Sequence, residues 1–239
     1  MLSWKNERRL YKDGITCICG VDEAGRGPLA GPVVAAAVIL PTAPPLPRDC
    51  YNLNDSKKLQ PEVREELFDT IKSIAIAYGI GIVSHEEIDK INILKATMRA
   101  MTIAVREVEQ KLTPQMLVID GNYFRTELTY PFECIVDGDA ISPSIAAASI
   151  LAKVTRDRIM REFDEVYPQY GFARHKGYAT KEHRKMIIEH GFSPIHRLTF
   201  GVDDPNQFEM FVEEALHVAA PVQSVVVEPN EVSYDLVLS

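Results

Sequence analysis

The chain has 239 residues, a formal net charge of −8 and an ordinary globular composition, with 46% hydrophobic and 25% charged residues. No apolar run approaches the ~18 residues of a membrane span, and the charged N-terminal residues are unlike a secretory signal. The four cysteines contain no Cys-x-x-Cys pair. We therefore expect reduced thiols and a cytoplasmic protein that does not bind membranes.

The net charge comes from the C-terminal end. Residues 201–239 hold eight of the 34 acidic residues and no lysine or arginine, so the other 26 acidic residues balance the 26 basic ones. Residues 153–197 contain ten basic and six acidic residues. This local excess is compatible with binding a phosphate backbone, although a solvated helical face explains it equally well.

Two apolar runs near the N-terminus flank a glycine-rich turn. Residues 15–22 and 32–40 predict a pair of strands. Between them stand two acids and a short motif: Asp22, Glu23, Gly25, Arg26 and Gly27. Carboxylates suit Mg²⁺ or Mn²⁺, glycines allow close backbone approach, and arginine can neutralise a phosphate. Alone, such a turn can also be a surface loop with incidental charges.

The middle of the chain alternates helix and strand. Residues 61–73 predict a helix, and residues 74–83 predict a strand whose glycines indicate a closely packed neighbouring backbone. Ser84 with Glu87 forms a capping box. The apolar spacing from residue 94 to residue 112 then predicts an amphipathic helix.

Two further strands also end in acidic residues. Residues 116–122 close on Asp120, and residues 132–136 are followed by Asp137 and Asp139. An aspartate after a strand is commonly a turn or cap residue. Acids gathered from several strands would repel one another unless cations neutralised them. Such a cluster is typical of a two-metal phosphodiesterase, in an α/β domain with its site at strand ends.

The later part of the chain is expected to be mainly helical. Residues 142–166 predict a long helix, residues 167–178 an aromatic and basic loop, and residues 180–190 a helix capped by Thr180. Residues 205–219 could form one more helix. No Cys/His set has zinc spacing. We expect six histidines at the surface or at helix ends: His85, His175, His183, His190, His196 and His217.

Several blocks of the sequence resemble ribonuclease HII in the order in which that family has them. They are residues 22–33, 54–59, 119–122, 138–139, 145–157, 170–178 and 193–200. The resemblance runs from about residue 15 to residue 200. It implies an α/β, RNase H-like fold with a central mixed sheet flanked by helices and a C-terminal helical portion. Residues 1–200 would then be the catalytic domain, with a basic helical part from about residue 153, and residues 201–239 an acidic extension.

The resemblance also implies an endonuclease that cuts the RNA strand of RNA–DNA hybrids. It would cut on the 5′ side of single ribonucleotides in duplex DNA as well, leaving a 3′-hydroxyl and a 5′-phosphate. Two divalent ions, Mn²⁺ or Mg²⁺, would be held by the four acids in the family's metal-binding places: Asp22, Glu23, Asp120 and Asp139. Asp137 could compete with Asp139, which is favoured because it follows a glycine.

By the same resemblance, the substrate-binding residues are Gly25, Arg26, Gly27, Ser56, Lys57, Lys153 and Tyr178. The backbone of the Gly-Arg-Gly motif would sense the ribose 2′-hydroxyl, and Tyr178 would pack on the sugar of the following deoxynucleotide. Two alternatives stay open: a related nuclease that cuts hybrids only, and a non-catalytic nucleic-acid binding module. We expect a monomer whose partners are hybrids and ribonucleotide-containing duplex DNA.

Overall fold

The computed structural model describes residues 4–42 and 60–200. The chain divides into two compact units. The first comprises Met1–Arg26 and Pro32–Arg156, and the second comprises Gly27–Gly31 and Asp157–Ser239. Four sequence predictions lie outside the described residues, namely the substrate-binding positions Ser56 and Lys57, the helix over 205–219, the position of His217 and the acidic extension 201–239.

Five strands form one mixed sheet among the described residues of the first unit. They are β1 (Ile18–Ala24), β2 (Val33–Ile39), β3 (Ala77–Val83), β4 (Met116–Asp120) and β5 (Phe132–Ile135). Their order across the sheet is β3-β2-β1-β4-β5. The β2 strand is antiparallel to both of its neighbours, whereas β1, β4 and β5 are parallel. The predicted strand pair around the glycine turn and the mixed sheet are confirmed.

The helices of the first unit are α1 (Lys5–Lys12), α2 (Pro61–Ile74), α3 (His85–Ile91), α4 (Ile93–Glu109), α5 (Gly138–Ile141) and the start of α6 (Pro143–Val166). Ser84 accepts a hydrogen bond from the Glu87 amide, as the capping box predicts. The chain then breaks at Asn92, with φ 70°, and the Asn92 side chain caps α4. The amphipathic pattern from residue 94 is thus confirmed as a separate helix.

Helix α4 packs directly on β3 because two glycines leave room for it. A Cβ on Gly79 would lie 2.2 Å from the Ala104 carbonyl oxygen, and one on Gly81 would lie 2.0 Å from that of Ala100. The close backbone approach predicted from these glycines is therefore confirmed. The core of this unit includes the fully buried strand β2.

The second unit contains the rest of α6, a 3₁₀ turn (Pro168–Tyr170), α7 (Phe172–His175) and α8 (Lys181–His190). Thr180 caps α8 by accepting from the His183 amide, and Gly191 follows the last turn with φ 74°. Both features were predicted. Residues 167–178 are not an irregular loop, however, since they contain the 3₁₀ turn and α7.

His175 and His183 lie in the last turn of α7 and in the first turn of α8, which fits the helix-end positions expected for histidines, whereas the expectation is wrong for His196, which is buried outside any helix. All three rings are buried, because they pack against Tyr170, Phe172 and one another. Of the ten basic residues in 153–197, Arg156 and Arg197 are also buried, each donating from its guanidinium to a backbone carbonyl. No helix in the described residues is long and apolar enough to cross a membrane.

Candidate active site

Asp22 and Asp120 come from neighbouring parallel strands. Val21 of β1 pairs with Ile119 of β4, so the next residue of each strand lies at the same level of the sheet. Side chains at one level of adjacent parallel strands project to the same face. The negative charge of Asp120 accordingly acts on the Asp22 carboxyl group. The sheet register thus brings together two acids that are 98 positions apart in the sequence.

The Asp22 carboxyl group is held in an unfavourable environment for a charge. Its side chain is buried, and burial raises its pKa well above the ordinary value for aspartate. The nearby charges of Glu23 and Asp120 raise this pKa further. Hydrogen bonds from the Ser149 side chain and the Glu23 amide act in the opposite direction. Asp22 is therefore a buried acid whose ionised form is stabilised by two donors and opposed by two carboxylates.

Glu23 belongs to the same electrostatic cluster. Burial raises its pKa, the charge and hydrogen bond of Arg26 lower it, and Asp120 raises it. The Arg26 guanidinium lies 3.1 Å from the Glu23 carboxylate and is itself largely exposed. Arg26 therefore offsets part of the repulsion among the acids, while more than half of its side chain stays exposed to solvent.

A short turn after β5 brings Gly138, the residue before the fourth predicted acid, against the Asp120 side chain. The Gly138 amide donates to Asp120 Oδ1 at 2.7 Å, and Asp139 follows as a buried residue of α5. Asp137 is exposed and has a left-handed backbone, with φ 53°. Asp139 is thus the more buried of the two candidate acids, and its role as the fourth metal ligand stays a prediction.

The carboxylate oxygens of the acidic cluster suit a divalent cation, although they are not arranged around a common position. Carboxylate oxygens are the ligands that Mg²⁺ and Mn²⁺ prefer, and a cation would relieve the repulsion around Asp22. Across residues 4–42 and 60–200, no group of three or more His, Cys, Asp or Glu side chains is arranged to hold a metal ion. Glu23 instead pairs with Arg26, and Asp120 accepts from the Gly138 amide. The metal-binding role of the acids therefore stays a prediction.

Helix α6 supplies one residue that sequence reasoning missed. Ser149, a buried residue in the second turn of this helix, hydrogen-bonds to Asp22. Lys153, predicted to bind substrate, lies one turn further along α6 and is partly buried. A serine within an alanine-rich helix gives no periodic signal of its own. The helical spacing of four from Lys153 was the available clue.

Gly25 is required by the local backbone. Its φ is +100°, and a Cβ there would lie 2.2 Å from Nε of the buried Arg156. Arg156 Nε in turn donates to the Pro32 carbonyl at 3.0 Å. The first glycine of the Gly-Arg-Gly motif therefore makes room for an arginine that anchors the next segment of the chain.

The second unit brings Gly27 and Tyr178 together. A Cβ on Gly27 would lie 3.9 Å from Cε1 of the Tyr178 ring, which is an ordinary contact distance, and no positive φ is required there. The Leu29 amide donates to the Gly177 carbonyl at 2.8 Å, fixing the two segments side by side. Tyr178 itself is 44% exposed. Two predicted substrate-binding residues, Gly27 and Tyr178 with its exposed ring, thus lie close together.

Glu7 is a second residue that sequence reasoning missed. It is a buried residue of α1, and its Oε1 accepts from Ser142 Oγ at 2.5 Å and from both Oγ and the amide of Ser144. These donors surround the start of α6. Glu7 therefore caps the helix that follows the Asp139 turn. The charged N-terminal segment gave no motif from which this role could be read.

Comparison with known proteins identifies the family. The family model described as Ribonuclease HII matches residues 19–202. Ribonuclease HII of Acetivibrio thermocellus is 55% identical over 196 residues, covering 81% of this chain and 73% of that protein. The corresponding protein of Caldanaerobacter subterraneus is 54% identical over 194 residues, covering 81% and 78% of the two chains.

Solved structures agree with this assignment. The crystal structure of ribonuclease H2 from Pyrococcus horikoshii OT3 superposes with a TM-score of 0.66 at 26% identity, covering 83% of this chain and 98% of that one. Bst-RNase HIII in complex with Mn²⁺ has a TM-score of 0.59, and at 16% identity it shows a shared fold alone. The expected RNase H-like fold is confirmed. The chain belongs to the ribonuclease HII family and is an RNase H-type endonuclease.

Proposed function

We propose that this endonuclease cuts the RNA strand of RNA–DNA hybrids and also cuts on the 5′ side of single ribonucleotides in duplex DNA. The products would carry a 3′-hydroxyl and a 5′-phosphate. The observation that carries the finer specificity is that the exposed Tyr178 ring lies close to Gly27, within 3.9 Å of where a Cβ on this glycine would stand. A glycine backbone beside an open aromatic ring can read a sugar on each side of an RNA-to-DNA junction.

The reading of the junction depends on the 2′-hydroxyl, which distinguishes RNA from DNA at a given position. The backbone of Gly25, Arg26 and Gly27 would recognise that hydroxyl without interference from Cβ atoms at the two glycines. The Arg26 side chain pairs with Glu23 and is 56% exposed, so it can also bind a phosphate of the substrate. The Tyr178 ring would pack on the next deoxyribose, where a 2′-hydroxyl would be crowded out.

Hydrolysis would be carried out at the acidic cluster of the first unit. The ligands of two divalent ions, Mg²⁺ or Mn²⁺, would be Asp22, Glu23, Asp120 and Asp139. Bound ions of this kind supply an activated water and neutralise charge on the leaving oxygen. Ser149 would keep the Asp22 carboxylate oriented, because its hydrogen bond favours the ionised form.

Lys153, Ser56 and Lys57 complete the proposed substrate-binding set. Lys153 would meet a phosphate from helix α6. The other two are proposed on the sequence resemblance, since they lie outside the described residues. We also propose that residues 1–200 are the catalytic part, that residues 201–239 are dispensable for cleavage, and that the enzyme acts as a monomer.

The test is cleavage of a DNA duplex with one embedded ribonucleotide, with and without Mg²⁺ or Mn²⁺. An RNA–DNA hybrid and an all-DNA duplex serve as substrate controls, and Asp22→Asn serves as the enzyme control. The proposal predicts metal-dependent cutting at the 5′ side of the ribonucleotide, with ends that a ligase and a phosphatase can identify. Cleavage of the hybrid alone would establish the hybrid-only alternative. Cleavage of neither substrate with metal present would contradict the proposal.

A further inference from the structure

Three histidine rings form a buried cluster in the second unit. His175, His183 and His196 are 8%, 0% and 2% exposed. The rings of His175 and His183 stack with their centroids 4.3 Å apart, and Nε2 of His183 lies 3.0 Å from Nε2 of His196. Buried polar groups of this kind persist when every ring nitrogen has a partner.

Backbone partners fix which nitrogen carries each proton. Nδ1 of His183 lies 2.9 Å from the Tyr178 carbonyl, which can only accept, so this nitrogen is the donor. Nδ1 of His196 receives a hydrogen bond from the Ser193 amide at 2.8 Å, so it carries no proton. In the neutral rings, Nε2–H of His196 must therefore donate to the bare Nε2 of His183. Each hydrogen bond is therefore donated in the same direction: from Ser193 to His196, from His196 to His183 and from His183 to Tyr178. We call this chain of hydrogen bonds the relay.

The neutral state of this pair is favoured by its surroundings. Burial, together with the adjacent His175, lowers the pKa of His183 from 6.5 to about 4, although the hydrogen bond to the Tyr178 backbone acts in the opposite direction. Protonation of His183 at Nε2 would also set two N–H groups against each other. The ordered arrangement is therefore maintained near neutral pH.

The two ends of the relay hold the segments that contact Gly27–Gly31. At one end, the Gly177 carbonyl accepts from the Leu29 amide, and a Cβ on Gly177 would meet the Ala30 carbonyl oxygen at 2.7 Å. At the other end, the Ile195 carbonyl accepts from the Gly31 amide at 2.9 Å. The Arg197 amide donates to Leu29 and its side-chain Nε donates to the Gly31 carbonyl. The relay thus connects the two segments, one at Gly177 and one at 195–197, that hydrogen-bond to the loop Gly27–Gly31.

We propose that His183 and His196 are positioning residues that set the backbone of Tyr178 relative to Gly27. This inference rests on the proposed role of Tyr178 in reading the junction. The imidazole pair touches no substrate. It acts by fixing the carbonyl of Tyr178, and hence the direction in which the exposed ring leaves the chain.

A matched pair of substitutions separates the donor to Tyr178 from the rest of the ring. His183→Asn places an amide N–H near the position of Nδ1 and can still donate to the Tyr178 carbonyl. His183→Gln places its amide near Nε2, towards His196, and loses that donor. His190→Gln is the control, because His190 is an exposed histidine on the same helix. Each variant is assayed on a single-ribonucleotide duplex and on an all-RNA hybrid, alongside its melting temperature.

We expect His183→Gln to lower kcat/KM for the single-ribonucleotide duplex about fivefold, the factor of roughly one neutral hydrogen bond. Activity on the all-RNA hybrid should change less than about twofold, since that substrate does not use the Tyr178 contact. His190→Gln should match the wild type on both substrates, and His183→Asn, which keeps the donor to Tyr178 but loses the contact with His196, should lose less activity on the single ribonucleotide than His183→Gln does. Equal losses on both substrates in folded variants, or no loss in His183→Gln, would overturn the proposal.

The proton order is also testable in the unmodified protein. Nitrogen NMR of the histidine side chains should show a protonated Nδ1 in His183 and a protonated Nε2 in His196. The opposite tautomers would overturn the proposal even if a variant failed to fold. If the wild type showed no activity on single ribonucleotides while these tautomers were observed, the proposed function would fail and the relay would remain.

Discussion

The two glycines of the Gly-Arg-Gly motif should differ in what they do for the protein. Gly25 has φ +100°, which costs an L-residue about 1–2 kcal/mol. An alanine Cβ at this site would also lie 2.2 Å from Arg156 Nε and 2.7 Å from the Pro32 carbonyl oxygen. The guanidinium would have to leave its hydrogen bond to Pro32, and hydrogen bonds of charged groups contribute about 1.5–3 kcal/mol.

Gly25→Ala should therefore lower the free energy of unfolding by about 2.5–5 kcal/mol. For a domain of this size, the melting temperature should fall by roughly 5–20 °C. Thermal unfolding followed by circular dichroism in the absence of metal measures this directly. Metal is left out so that a change in ion binding cannot contribute to the shift.

Gly27→Ala is the matched control. Its Cβ would meet only Tyr178 Cε1 at 3.9 Å, so the melting temperature should stay within about 2 °C of the wild type. Its loss should appear in cleavage of a single-ribonucleotide duplex, since the added methyl group occupies the space proposed for the sugar. A Gly25→Ala protein as stable as the wild type would refute the packing argument. A Gly27→Ala protein with full activity would show that this glycine does not face the substrate.

Three further predictions concern buried ionisable groups. Asp22→Asn should reduce cleavage at least about 100-fold, since it removes the charge of a proposed metal ligand. The melting temperature measured without metal should stay level or rise, and a fall would contradict the repulsion inferred among the acids at this site. Glu7→Ala should cost about 2–3 kcal/mol in urea unfolding, because donors from Ser142 and Ser144 lose their buried acceptor, whereas Glu7→Gln keeps an oxygen there and should cost less. The pKa of His183 is lowered from 6.5 to about 4, so only the unfolded chain takes up a proton at this residue as the pH falls from 7 to 5. Over this pH range, the free energy of unfolding should therefore drop by about 2 kcal/mol more in the wild type than in His183→Asn. Equal drops in the two proteins would disprove the lowered pKa of His183.

Much of the first unit could be predicted because its signals are local. The helical spacing over residues 61–73 and the apolar run over residues 142–166 predict α2 and α6 to within a residue or two. Gly79 and Gly81 indicated close packing because a glycine inside a strand has few other reasons to be there. The acids at the ends of β1 and β4 could be expected to meet, since parallel strands share an edge.

The remaining features depend on tertiary partners that no local pattern reveals. His175, His183 and His196 have no common periodicity, and each owes its burial to the rings and carbonyls that the fold brings around it. Glu7 lies outside the segment that matches the family model, in a helix rich in charged residues. Its acceptor role appears only when the start of α6 is placed beside it.

The central claim is that Tyr178 reads the RNA-to-DNA junction. The most direct test compares Tyr178→Ala with the wild type on duplexes containing one ribonucleotide, four ribonucleotides and an all-RNA strand, at one salt concentration. Loss of a stacking contact of about 1–3 kcal/mol predicts a decrease of roughly five- to 150-fold on the single ribonucleotide. The decrease should be much smaller on the all-RNA strand, and the metal dependence should be unchanged. Equal decreases on all three duplexes would contradict the claim.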